Sequence, residues 1–99
     1  MVKHVILWKL KDEITECTKE EAIAKIKRDL EALNGQIEGL VSLKVIVPDH
    51  TSSNADIMLD STLESEEALK GYQVHPAHVA AAAFVRANTE LRLCADYNE

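Results

Sequence analysis

Two cysteines, two prolines and three glycines are few for a chain of 99 residues, and each scarcity removes a class of protein. Cys17 and Cys94 lie far apart and form neither a CxxC nor a zinc-type spacing. The simplest reading is two reduced thiols, with a disulfide or a catalytic thiol as the alternatives. Little Gly and Pro means long regular elements and few loops. No run of Lys and Arg is present, and 11 basic against 17 acidic residues give a formal net charge of −6. That balance argues against nucleic acid as a partner. No stretch approaches the roughly 18 apolar residues of a membrane span. The apolar run Val5 to Trp8 is too short for a signal-peptide core, and no small-residue cleavage site follows it. A cytoplasmic protein without membrane contact is expected. A Gly-rich phosphate loop, GxSxG and HExxH are all missing, so the chemistries they carry have no support.

What is present is a chain 46% hydrophobic and 28% charged, the balance of one small globular domain over residues 1–99. Val2 to Leu10 reads as a strand covered on both sides or nearly so, with His4, Ile6, Trp8 and Leu10 on one face and Lys3, Val5, Leu7 and Lys9 on the other. Thr18-Lys-Glu-Glu21 has the form of a capping box. Ala22, Ile23, Ile26, Leu30 and Leu33 then recur as one stripe of an amphipathic helix, which Asn34-Gly35 should end in left-handed conformations. Leu40 to Val47 is a second β-branched strand. Asp56 to Leu63 alternates as a third, with Ile57, Leu59, Ser61 and Leu63 on one side. Ser65-Glu66-Glu67 opens a helical region that should break near Tyr72 and restart with His75 as cap and Pro76 in the first turn. The run Ala80 to Ala83 gives the restarted helix a thin side that can lie close against a sheet. Glu90 to Tyr97 is the last strand.

The order β-α-β-β-α-β, with right-handed crossovers, predicts an α+β, ferredoxin-like fold: a four-stranded antiparallel-type sheet with the helices on one face. The other face would expose Val5, Leu7, Met58, Leu91 and Leu93. An exposed apolar patch of that kind marks an association site, and a homodimer formed through the sheet face is the economical way to bury it. Lys3 and Lys9 against Asp56 and Asp60 should supply at least one ion pair on that face.

Chemistry concentrates in Tyr72-Gln-Val-His75-Pro76-Ala-His78. This segment places a phenol and two imidazoles at a helix break whose direction Pro76 controls. His78, one turn into the restarted helix, can point at the sheet, where His4 shares a face with Ile6 and Trp8. An imidazole in an apolar cleft beside a tyrosine can move a proton. The plainer readings are a cap for His75 and a hydrogen-bonded core residue for His4. His4, His75 and His78 would be the trio for a metal, but nothing requires them to converge, and no metal or cofactor is expected. Arg92 and Cys94 should face the same side as His4; alternatively Arg92 pairs with Asp96.

The start Val2 to Glu13, the string Tyr72-Gln-Val-His75-Pro76-Ala-His78-Val79, and Arg92 with Asp96-Tyr97 resemble the stress-responsive dimeric α/β-barrel (Dabb) family over essentially the whole chain. The resemblance implies a ferredoxin-like subunit, a homodimer whose sheets close into a barrel, and a cleft between sheet and helices. In cyclase-type relatives the cleft holds a polyketide, and a His at the position of His78 works with a Tyr at that of Tyr72. Many members have no known activity, so the family does not decide the function. The expected cleft residues are His78 and Tyr72, with His4, Ile6, Trp8, Ile26, Ile57, Leu59, His75 and Arg92 as ligand contacts. The first reading is a homodimer that binds a small hydrophobic molecule, its activity undetermined. The alternative is a cyclase- or isomerase-like enzyme with His78 as general base and Tyr72 as hydrogen-bond donor to a carbonyl. A cavity wide enough for a ring and lined by both residues favours the enzyme; a filled cleft favours binding alone.

Overall fold

A computed structural model describes residues 1–99. The elements run β1 (Val2–Leu10), α1 (Lys19–Glu31), β2 (Leu40–Ile46), β3 (Ile57–Leu63), α2 (Glu66–Val74), α3 (Pro76–Asn88) and β4 (Thr89–Asn98). The sheet order is β2-β3-β1-β4 and every neighbouring pair is antiparallel, the ferredoxin-like arrangement. The two crossovers place β1 and β3 in the centre. Their inward residues therefore form the middle of the core.

Strict alternation is visible in the burial of both central strands. Ile6, Trp8 and Leu10 of β1 and Ile57, Leu59 and Leu63 of β3 are buried, and their neighbours are not. Ile26 and Leu30 of α1, Leu33 beyond its end, and Leu69 and Tyr72 of α2 pack onto them. Two polar side chains join this layer, His4 and Ser61, and the Ser61 hydroxyl donates to the His4 carbonyl at 2.8 Å. That bond satisfies the hydroxyl where water cannot.

The helix boundaries follow from their caps. Thr18 and Glu21 form the reciprocal capping box, with Glu21 N–H to Thr18 Oγ1 at 3.1 Å and Thr18 N–H to Glu21 Oε1 at 3.0 Å. The far end differs from expectation. Helix α1 stops at Glu31, and of the Asn34-Gly35 pair only Gly35 is left-handed, at φ 81°. Asn34 instead bonds β2 on both sides, donating to Leu43 O at 2.8 Å and accepting from Leu43 N–H at 2.9 Å. Its amide substitutes for a strand neighbour on the outer edge of β2. The second helical region is two helices that meet at His75, whose Nδ1 accepts from Ala77 N–H at 3.1 Å.

Gly39 is required on two counts. Its φ is +86°, and a Cβ there would lie 2.6 Å from the Ala68 Cβ. Gly39→Ala is expected to cost at least about 2 kcal/mol, left-handed strain plus the displacement of α2, read as a lowered urea midpoint. An unchanged midpoint would mean that α2 shifts freely.

The helix-free face of the sheet carries Leu7, Leu91, Leu93 and Tyr97, which are 36%, 50%, 56% and 50% exposed. On the same face Lys3 Nζ pairs with Asp60 Oδ1 at 2.6 Å, and this ion pair raises the Lys3 pKa. The expected Lys–Asp pair is therefore present, bridging β1 and β3.

Candidate functional site

Strand β4 is exposed along nearly its whole length, because the helices cover the other three strands more fully than this edge. Between it, β1 and the α2–α3 corner lies a cavity of about 450 Å³. The thin alanine side of α3 does not close down on the sheet here. Ala82 lines the cavity, and the space a larger residue would take is open. The floor and walls include Ile6, Trp8, Leu59 and Val85, with His4, Tyr72 and His78 among them.

Tyr72 is central to this group. Its ring lies 4.3 Å from that of His78, tilted by 46°, and 6.1 Å from that of His4, edge-on. Tyr72 is 0% exposed, yet its hydroxyl has no hydrogen-bond partner. Burial pushes its pKa up to about 12, so the group is a neutral donor at any ordinary pH. A buried hydroxyl without a partner costs about 1–3 kcal/mol. Folding alone gives no reason to keep it.

His78 is half-buried, and its Nδ1 lies 3.3 Å from the Gln73 carbonyl oxygen. A carbonyl only accepts, so Nδ1 carries the proton and Nε2 holds the lone pair. Desolvation lowers the His78 pKa; the Gln73 bond opposes this, while His4, Arg86 and Arg92 reinforce it. A neutral imidazole with a free lone pair is a competent base at neutral pH.

His4 is 1% exposed and pairs through Nδ1 with Asp96 Oδ1, its direct cross-strand neighbour. The carboxylate accepts, which fixes the His4 ring against β4. Asp96 therefore serves His4 and not Arg92. Cys94 stands beside them, 3.8 Å from His4 Nδ1 and 3.5 Å from Asp96 Oδ1. These three offer one nitrogen, one sulfur and one oxygen within 4.8 Å, the donors a metal would meet here. The thiol pKa is raised by burial and by Asp96, so Cys94 is protonated as it stands. The other trio, His4, His75 and His78, does not assemble, because His75 Nδ1 is committed to capping α3.

Of the expected contacts, His4, Ile6, Trp8, Leu59, Tyr72, His78 and Arg92 line the cavity. Three do not. Ile26 and Ile57 are fully enclosed in the core, and His75 turns its ring to the helix start. The profile of the stress responsive A/B barrel domain matches residues 2–99. The chain belongs to that family.

Within the stress responsive A/B barrel family, the chain is 33% identical to olivetolic acid cyclase of Cannabis sativa over 96 residues, 97% of this chain and 94% of that one. A dimeric ferredoxin-like protein of unknown function from Bacteroides fragilis is 31% identical, with a TM-score of 0.90 over 99% of this chain and 95% of its own. A hydroxynitrile lyase from Passiflora edulis, at 15% identity, has a TM-score of 0.79 over 97% and 90% of the two chains, which shows the common fold alone. Among the site residues that the sequence did not single out are Asp96 as partner of His4, the Gln73 carbonyl behind His78, Ala82, and Arg86. The His4–Asp96 pairing could have been found by aligning the first and last strands antiparallel. Ala82 and Arg86 follow His78 at four-residue spacing on one face of α3, a signal that could have found them, whereas the Gln73 carbonyl depends on how the chain breaks between α2 and α3.

Proposed function

We propose that this protein is a homodimeric enzyme of the cyclase or isomerase type, acting on a small carbonyl compound with His78 as general base and Tyr72 as donor to the carbonyl oxygen. The observation that carries this reading is the unpartnered Tyr72 hydroxyl, buried in the wall of an open cavity beside His78. A substrate oxygen would supply the missing acceptor. The cavity is wide enough for a ring and lined by both residues, which favours catalysis over binding alone.

In this reading a carbonyl enters with its oxygen toward Tyr72. His78 Nε2 removes a proton from the adjacent carbon, and the negative charge that develops on oxygen is held by the Tyr72 O–H. The resulting carbon nucleophile either attacks a second carbonyl of the same chain, closing a ring, or is reprotonated at another carbon, completing an isomerisation. The His78 imidazolium returns the proton in both cases. The apolar walls exclude water from the enolate. Likeness to a protein named as a cyclase at 33% identity supports ring closure as the first activity to assay. The dimer is supported by the apolar sheet face and by the dimeric Bacteroides fragilis neighbour.

The test is incubation with a linear poly-β-ketone thioester and analysis by mass spectrometry for a cyclised product beyond the uncatalysed background. Tyr72→Phe should reduce that product by about 100- to 1,000-fold, the range for losing one oxyanion donor. Its thermal stability should be unchanged or higher, since an unsatisfied hydroxyl has left the core. A Tyr72→Phe protein that is fully active, or markedly less stable, would remove the basis of this mechanism.

A further inference from the structure

Two guanidinium groups reach the cavity from separate elements: Arg92 from β4 and Arg86 from the last turn of α3. Both are exposed, and neither is ion-paired, although the chain has 17 acidic residues and pairs Lys3, Lys25, Lys27 and Arg28 with three carboxylates, Asp60, Asp29 and Glu31. Of the two carboxylates near by, one is already paired and the other is free. Asp96 is held by His4, and Glu90, which also borders the cavity, bridges to neither arginine. In a chain of net charge −6, the lining of this cavity carries two arginines against one glutamate, and the rest of it is apolar apart from His4, Tyr72, Gln73, His78 and Thr89.

We infer that the substrate carries an anionic group, a carboxylate or a phosphate, which Arg92 and Arg86 hold at the mouth of the cavity while its apolar body lies along Ile6, Trp8 and Val85. The inference rests on the reading of the cavity as a substrate site and adds the substrate's charge to it. A guanidinium presents its donors as a planar fork that matches carboxylate and phosphate oxygens. Two such forks on opposite walls anchor one end of a chain, and with the end fixed only a limited stretch of it reaches His78 and Tyr72. The arginines are positioning residues. They also lower the pKa of His78 by their charge, which an anionic ligand would partly cancel.

The chain's single tryptophan, Trp8, lies in the cavity wall and reports occupancy by fluorescence. Octanoate, octyl phosphate and methyl octanoate are titrated against the intact protein at neutral pH. At least one of the two anions should bind about tenfold or more tightly than the uncharged ester, as expected for a charge-assisted contact. If octanoate is the tighter anion, the group belongs to a free acid; if octyl phosphate is, it belongs to a phosphate-bearing carrier. Arg92→Gln and Arg86→Gln should each reduce the preference and together abolish it, whereas Tyr72→Phe should keep it. Equal binding of all three ligands, binding of none, or a preference that survives the double substitution would overturn the inference. The product assay remains separate: a protein that prefers the anion but closes no ring retains this site and loses the proposed chemistry.

Discussion

His78→Ala should lower product formation by a factor of about 10²–10⁴, the usual contribution of a positioned general base, while the chain stays folded at the assay temperature. The imidazole is half-buried, and inside the chain it makes one long bond to Gln73 and one ring contact with Tyr72. Losing the ring contact costs about 0.5–1.5 kcal/mol and losing the long bond no more than a similar amount. A base, by contrast, has no replacement nearby: His4 is turned to Asp96 and His75 to the α3 cap. The pH dependence should carry the same signature. Desolvation holds the folded-state pKa of His78 below the ordinary value of 6.5, so activity should persist into mildly acidic solution before the base is protonated. Between the folded and unfolded values the unfolded chain binds more protons. The His78 contribution to stability is therefore complete above the unfolded value and is lost as pH falls through the folded one. An acid limb of the rate profile at or above 6.5, or a variant that chiefly unfolds, would show His78 to be structural.

The fold was legible because its signals are local and agree with one another. Alternation in Ile57, Leu59, Ser61 and Leu63 needed no partner to identify its inward face, and the Thr18–Glu21 box marked the start of α1 by two hydrogen bonds only three residues apart. Pro76 likewise announced the break at His75. The pair Tyr72 and His78 was also within reach, being six residues apart across that break. What the chain did not reveal locally is depth. Ile26 and Ile57 carry the same pattern as Ile6 and Leu59, and only the tilt of α2–α3 over β1 and β4 decides which pair touches empty space. The alanine run shows the same limit. Small side chains permit close packing and equally permit a cavity, and Ala82 takes the second course. The unpartnered Tyr72 hydroxyl had no sequence signal, since satisfaction depends on every neighbour at once.

Leu93→Asp should turn the protein from a dimer into a monomer, with sedimentation equilibrium at micromolar concentration falling from about twice the 11.0 kDa chain mass to the chain mass itself. Leu93 stands directly opposite Leu7 in the β1–β4 register, on the face that no helix covers. Burying each such leucine contributes about 1.5–3 kcal/mol. A two-fold interface uses the same patch twice, so one substitution removes two leucines and buries two unpaired carboxylates. The subunit should keep its own fold, because its core lies on the other face among Ile57, Leu59, Leu63 and their helix partners. The cavity should still register the change. Residue 93 faces the proposed partner while Arg92, next to it, faces the cavity, and β4 is an edge strand paired on one side by β1 alone. A sheet packed against β4 would brace that wall, so the monomer should have a native circular dichroism spectrum, weaker ligand binding and faster amide exchange along Thr89–Asn98. A Leu93→Asp protein that stays dimeric would place the association surface elsewhere, and one that is monomeric yet binds as before would separate the wall from the interface.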